Sequence, residues 1–164
     1  HIVGASMGGM IAQVVAARHP QRTRSLVSIM STTGSPQLPP PSAEASESLL
    51  GVTTDDGAAA ERREAMVARG FYPQSMGRQM MAVFKTGDRS DAVATITAPT
   101  LVVHGAKDTL LPPPHGAHTA QLIAGSELVV YDSMGHNIPD EVLPKLLQKM
   151  TLHMQAADRA AMTR

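Results

Sequence analysis

Cysteine is absent from this chain, and so is tryptophan. Without cysteine there is no disulfide and no thiolate metal site, and the composition suits a reducing compartment, so a cytoplasmic location is expected. Neither sign of charge is in excess: 14 Lys and Arg balance 14 Asp and Glu over 164 residues. No basic run occurs, which argues against a nucleic-acid partner. No apolar stretch is long enough to cross a bilayer, so no membrane span is expected. Aromatics are scarce, with only Phe71, Tyr72, Phe84 and Tyr131. The 11 methionines take up part of that deficit. A flexible thioether fills irregular apolar space, so most of them are expected in the core.

What is present is concentrated at the start. Gly4-Ala5-Ser6-Met7-Gly8 spells G-x-S-x-G. His1-Ile2-Val3 reads as the end of a buried strand, and residues 9–17 read as a helix rich in small side chains. A serine on a sharp strand-to-helix turn is a nucleophile elbow. The turn is strained, so glycines are expected where side chains would clash. Serine at its own pKa is a poor nucleophile and needs a base, an orienting acid and donors for the oxyanion. The Met7 backbone N–H, next after the serine, is the expected oxyanion donor.

Two later loops supply the other partners. Leu101-Val102-Val103-His104-Gly105 reads as a buried strand that delivers Asp108 just past its carboxyl end. Leu128-Val129-Val130-Tyr131 reads as another, leading to His136. Catalytic groups gather at the carboxyl ends of strands in open parallel sheets. Asp108 is the expected acid; Asp132 is its rival, but it shares a strand end with His136, where a facing geometry is awkward. His104 still lies within its strand and reads as a core histidine. His115 and His118 stand at helical i, i+3 spacing. With no third ligand nearby they read as a surface helix face rather than a metal pair, and no metal or cofactor is called for.

The order Ser, Asp, His is that of the α/β-hydrolase fold. The chain resembles that family, and within it the bacterial carboxylesterases of the aclacinomycin-methylesterase-like type. The resemblance is carried by residues 4–10, residues 28–34, Gly70-Phe71-Tyr72-Pro73, residues 99–105 with Asp108, and Met134-Gly135-His136. It implies an ester-hydrolysing serine enzyme with Ser6 as nucleophile, His136 as base and Asp108 as its partner. A small-molecule ester is the implied substrate, and Met134, Leu110, Phe71 and Met80 are pocket candidates. Perhydrolysis, thioester cleavage and carbon–carbon bond hydrolysis use the same residues and stay open. The family's domain is longer before the elbow, where a His-Gly loop supplies a second oxyanion donor. The expectation is therefore the carboxyl-terminal portion of such a domain, with a truncated, non-catalytic form as the alternative. Cutting a sheet before its elbow strand exposes a parallel edge, which invites self-association.

Strands alternating with helices call for a parallel α/β sheet. His19-Pro20 stops the first helix, and residues 25–30 form the next strand. The prolines at 36, 39, 40 and 41 mark an exit from the sheet layer. Residues 35–87 then read as a reduced helical cap inserted in one incomplete domain spanning 1–164. Its helices are expected near 43–50, over 58–69 with Gly70 as cap, and over 74–85 with a stripe of Met76, Met80, Met81 and Phe84. A short helix is expected at 89–94, one at 114–124 ended by Gly125, a strand at 127–131, and a last helix over 140–154. The tail from Ala156 is expected to fray.

Overall fold

Two short sequences, Leu26-Val27-Ser28-Ile29 and Thr100-Leu101-Val102-Val103-His104-Gly105, have every residue buried, as only strands covered on both faces can. In the computed structural model, which describes residues 1–49, 64–70 and 72–163, they are the central strands of a parallel sheet. Strand β1 (Ile2–Ala5), β2 (Leu26–Ile29), β3 (Thr100–Gly105) and β4 (Glu127–Tyr131) lie in that order. Val27 faces Val3 and Leu101, and Val103 faces Val129. The α/β fold class expected from the sequence is the one found.

The two faces of the sheet carry separate cores, because alternate side chains point opposite ways. On one face Val27, Ile29, Leu101 and Val103 pack with Met30, Met134, Val142 and Leu146. On the other, Leu26 packs with Ala12, Ala16, Val93, Ile96, Ala98 and Ile123. Helix α1 (Met7–Arg18) covers this second face with its alanines, which let it approach closely. It ends where His19 donates its N–H to the Val15 carbonyl and Pro20 begins a 3-10 turn.

Contacts divide the chain into two units, His1–Ser42 with Asp88–Arg164, and Ala43–Gly87. The first unit holds the sheet with α1, α5 (Ser90–Ala94), α6 (Pro114–Leu122) and α7 (Leu143–Met162). The proline-rich stretch after Ser35 belongs with this sheet unit, so the second unit begins at Ala43. The stretch is tied down by His115 Nε2 on the Pro39 carbonyl and by the Ser42 N–H on the Thr109 carbonyl, both at 2.9 Å.

The second unit has helix α2 (Ala43–Leu49), helical residues 64–68 (α3) and α4 (Met76–Thr86). Gly70 turns at φ +90° and donates its N–H to the Val67 carbonyl. The expected helix start at 58–63 and Phe71 lie outside the described residues. In α4 the stripe is split: Met76, Met80 and Val83 are half-buried, whereas Met81 and Phe84 are exposed.

The last helix corrects the sequence reading at both ends. It begins at Leu143, not 140, because Pro144 has no N–H and fits only a first turn. It then continues to Met162 instead of fraying after Ala156. Ala156, Ala157, Ala160 and Ala161 are strong helix formers. Ala157 is buried, and Asp158 faces His1 Nε2 at 3.3 Å and Arg24 at 3.2 Å. Among the described residues no helix is long and apolar enough to cross a membrane.

Candidate active site

Ser6 sits between β1 and α1 with φ 53° and ψ −121°, a left-handed conformation that costs a side-chain-bearing residue free energy. Four hydrogen bonds hold it there. Its N–H donates to the Ile29 carbonyl at 2.9 Å. Its carbonyl accepts from the N–H groups of Gly9 and Met10 at 2.9 and 3.2 Å and from the Ser31 hydroxyl at 3.0 Å. A Cβ at Gly4 would stand 2.1 Å from the Gly8 carbonyl oxygen, so only glycine fits at that point. Gly8 itself has open space around its Cα. The sharpness of the turn thus depends on Gly4, not equally on both motif glycines. Met7 is the first residue of α1, where backbone N–H groups lack helical acceptors and the helix end favours negative charge.

Asp108 follows β3 in a tight turn. Its Oδ1 accepts the N–H groups of Leu110 and Leu111 at 3.0 and 2.8 Å. Its Oδ2 accepts from His136 Nδ1 at 2.8 Å. Burial pushes this carboxyl up, but the His136 and Leu111 hydrogen bonds and the neighbouring imidazoles outweigh it and hold it below the ordinary carboxylate range. The loop of His136 is fastened to the loop of Asp108 by the Met134 carbonyl, which accepts the Lys107 N–H at 3.0 Å. The approach is so close that a Cβ at Gly105 would meet that carbonyl at 2.2 Å.

His136 Nε2 is 2.8 Å from Ser6 Oγ. The three side chains singled out in the sequence are therefore brought together. An ionised carboxylate can only accept, so the proton of a neutral His136 sits on Nδ1, and Nε2 presents its lone pair to the serine hydroxyl. The arrangement can draw a proton from Ser6 and hold the resulting imidazolium against Asp108. Asp132 is exposed.

The pocket candidates fare differently. Leu110 adjoins Asp108 and is half-buried. Met134 is fully buried in the core beside Leu101 and Leu146 and does not line an open pocket, a correction to the sequence reading. Its carbonyl, not its side chain, serves the site. Met80 lies in the second unit, half-buried. His115 is also corrected: it is buried rather than on a surface face, between the Thr32 hydroxyl at 2.7 Å and the Pro39 carbonyl at 2.9 Å. His118 Nδ1 pairs with the Thr33 hydroxyl at 3.0 Å. Among the described residues no three His, Asp or Glu side chains are grouped to hold a metal ion.

A family model for the alpha/beta hydrolase fold matches residues 1–65. Rhodomycin D methylesterase of Streptomyces peucetius is 26% identical, aligned over 96% of this chain and 67% of its own length. A pimeloyl-[acyl-carrier protein] methyl ester esterase of Neisseria meningitidis is 27% identical, over 82% of this chain and 61% of its own. A hydrolase from Pseudomonas aeruginosa superposes with a TM-score of 0.61 at 25% identity, covering 94% of this chain and 64% of that one. The chain therefore spans about two thirds or less of the length of these proteins.

Proposed function

We propose that this chain, an α/β-hydrolase by fold, cleaves carboxylic esters through an acyl-enzyme on Ser6, with methyl esters as the substrate class suggested by its methylesterase relatives. The observation that supports this most is the unbroken relay from Ser6 Oγ through His136 to Asp108, both links at 2.8 Å.

In this reading His136 Nε2 takes the Ser6 proton as Oγ attacks the ester carbonyl carbon. Asp108 keeps the proton on Nδ1 and stabilises the imidazolium. The Met7 N–H donates to the oxyanion of the tetrahedral intermediate. Collapse expels the alcohol, which leaves with the proton from His136. A water then gives a proton to His136 as its oxygen attacks the acyl carbon, and Ser6 recovers its hydrogen when the acid departs. Leu110, next to Asp108, borders the acyl or alcohol group. Ala43–Gly87 serves as the reduced helical insert of this fold.

The test is turnover of a 4-nitrophenyl ester and of a simple methyl ester by the chain and by Ser6→Ala, with fluorophosphonate labelling of Ser6. Saturable turnover and stoichiometric labelling, both lost in Ser6→Ala, are expected. A folded sample with neither would overturn the reading.

A further inference from the structure

His104 is the last side chain of β3 before Gly105, and it is wholly buried. Its Nε2 stands 2.7 Å from the Leu111 carbonyl. A carbonyl can only accept, so Nε2 carries a proton. That same Nε2 lies 3.6 Å from Asp108 Oδ2, too far for a hydrogen bond but close enough for its N–H dipole to act on the carboxylate. The other ring nitrogen, Nδ1, is buried with no hydrogen-bond partner. A nitrogen left unsatisfied in the interior is costly, and such a group calls for a compensating role.

The surroundings are shaped to accept the ring. A Cβ at Gly116 would come 2.6 Å from Nδ1 and 2.9 Å from the His104 Cβ, so the bare glycine of α6 makes the room. Leu111 is gripped at both ends: Asp108 Oδ1 accepts its N–H, and His104 holds its carbonyl. The ionisable groups around the ring are Asp108, His136 beyond that carboxylate, and His115 on α6. Val130 opposite it on β4 is neutral.

We propose that His104 is a positioning residue for Asp108, fixing the carboxylate toward His136 by anchoring the Leu111 carbonyl and by holding its N–H dipole beside Oδ2. The ring acts through Asp108 and touches neither substrate nor the reacting atoms. Its activity readout rests on the serine-hydrolase reading above; its electrostatic readout does not.

The variants are His104→Leu, which removes the donor, and His104→Gln, whose amide N–H reaches the place of Nε2. Folding of each is checked by circular dichroism. Two quantities are measured: kcat and KM on a 4-nitrophenyl ester from pH 5 to 9, and the titration of the Asp108 carboxyl by carbon-13 NMR with no ester present. For His104→Leu, kcat is expected to fall about tenfold to a hundredfold with KM nearly unchanged, as for a small misplacement of a catalytic group. The Asp108 midpoint is expected to rise, and His104→Gln to restore both. If wild type is folded yet inactive, the hydrolase reading fails while the Asp108 midpoint still decides this one. If His104→Leu does not fold, Gly116→Ala displaces the ring and carries the test, with the same rise expected. An Asp108 midpoint unmoved in the folded Leu variant, or in Gly116→Ala where that one serves, overturns the proposal, as does a Gln variant no better than Leu.

Discussion

His136 Nδ1 meets Asp108 Oδ2 at 2.8 Å, and the opposite carboxylate oxygen is already occupied by the N–H groups of Leu110 and Leu111. The carboxylate therefore has no freedom to turn. In Asp108→Asn the side-chain oxygen must stay with Leu110 and Leu111, which leaves the NH2 group facing His136. A donor there forces Nδ1 to accept and moves the imidazole proton to Nε2. That nitrogen then has no lone pair for Ser6.

The expected consequence is a fall in kcat of about 10⁴-fold, the size seen when the aspartate of a serine-protease triad becomes asparagine. Retention of activity within tenfold would sink the triad assignment. The same residue sets an acid limit on stability. Asp108 is depressed in the fold, so its contribution is complete above the ordinary carboxylate value of about 3.9 and is lost as pH falls through the lower folded value. Urea midpoints of wild type are expected to drop between pH 5 and pH 2.5 more steeply than those of Asp108→Asn. Asp88 is also depressed, through its Ser90 hydrogen bonds, but it is unchanged in the variant and cancels in the comparison.

Ser6 stores strain that its function requires. A residue with a Cβ at φ 53° and ψ −121° costs on the order of 1–3 kcal/mol, and glycine relieves it at about 0.5–1 kcal/mol of extra chain entropy. Ser6→Gly is therefore expected to be inactive yet more stable than wild type by about 1 kcal/mol. Chemical denaturation checks this. A variant less stable than wild type would show that the Oγ contact to His136 outweighs the strain.

The two motif glycines are expected to separate cleanly. Gly4→Ala places a methyl on the Gly8 backbone and should unfold the elbow, with loss of soluble protein or a fall of several kcal/mol. Gly8→Ala meets nothing within 4 Å and sits early in a helix, where alanine gains up to about 1 kcal/mol over glycine. Thermal melts of the pair distinguish them, and equal damage from both would contradict the space argument.

Much of this arrangement was legible in the sequence because its signals are local. Ser6, Asp108 and His136 each follow a short apolar run and a glycine, and a parallel sheet gathers such loops at one end. What escaped was non-local. Thr32 and His115 are 83 residues apart in the chain yet bond at 2.7 Å, so His115, one of an i, i+3 histidine pair that reads as a surface face, is part of the interior. Ser31, which holds the Ser6 carbonyl, carries no pattern of its own. Met30 adopts φ 39° next to it, a second strained residue that no glycine advertises. Met134 stands two residues before His136 in the sequence, yet its burial is set by the core it joins. Along α7, Asp158 meets Arg24 and His1, again from far away in the chain.

The Thr32–His115 pair supplies one more pH-dependent test. The Pro39 carbonyl requires a proton on His115 Nε2, so Nδ1 accepts from the Thr32 hydroxyl, which in turn accepts the Gly34 N–H at 2.9 Å. This network is complete with a neutral ring. Burial holds His115 below the ordinary histidine value, against the hydrogen bond to the Pro39 carbonyl, which favours the charged form. A base depressed in the fold binds fewer protons folded than unfolded. Its contribution is therefore complete above about 6.5 and is lost as pH falls toward the folded value. Wild type should lose urea stability between pH 7.5 and pH 5, and His115→Gln should lose less over the same range. Thr32→Val leaves both the Nδ1 and the Gly34 N–H unpaired and should cost about 1–3 kcal/mol at pH 7.5. A flat profile for wild type between those pH values would mean that His115 protonates in the fold without penalty, and the buried, neutral assignment would have to be withdrawn.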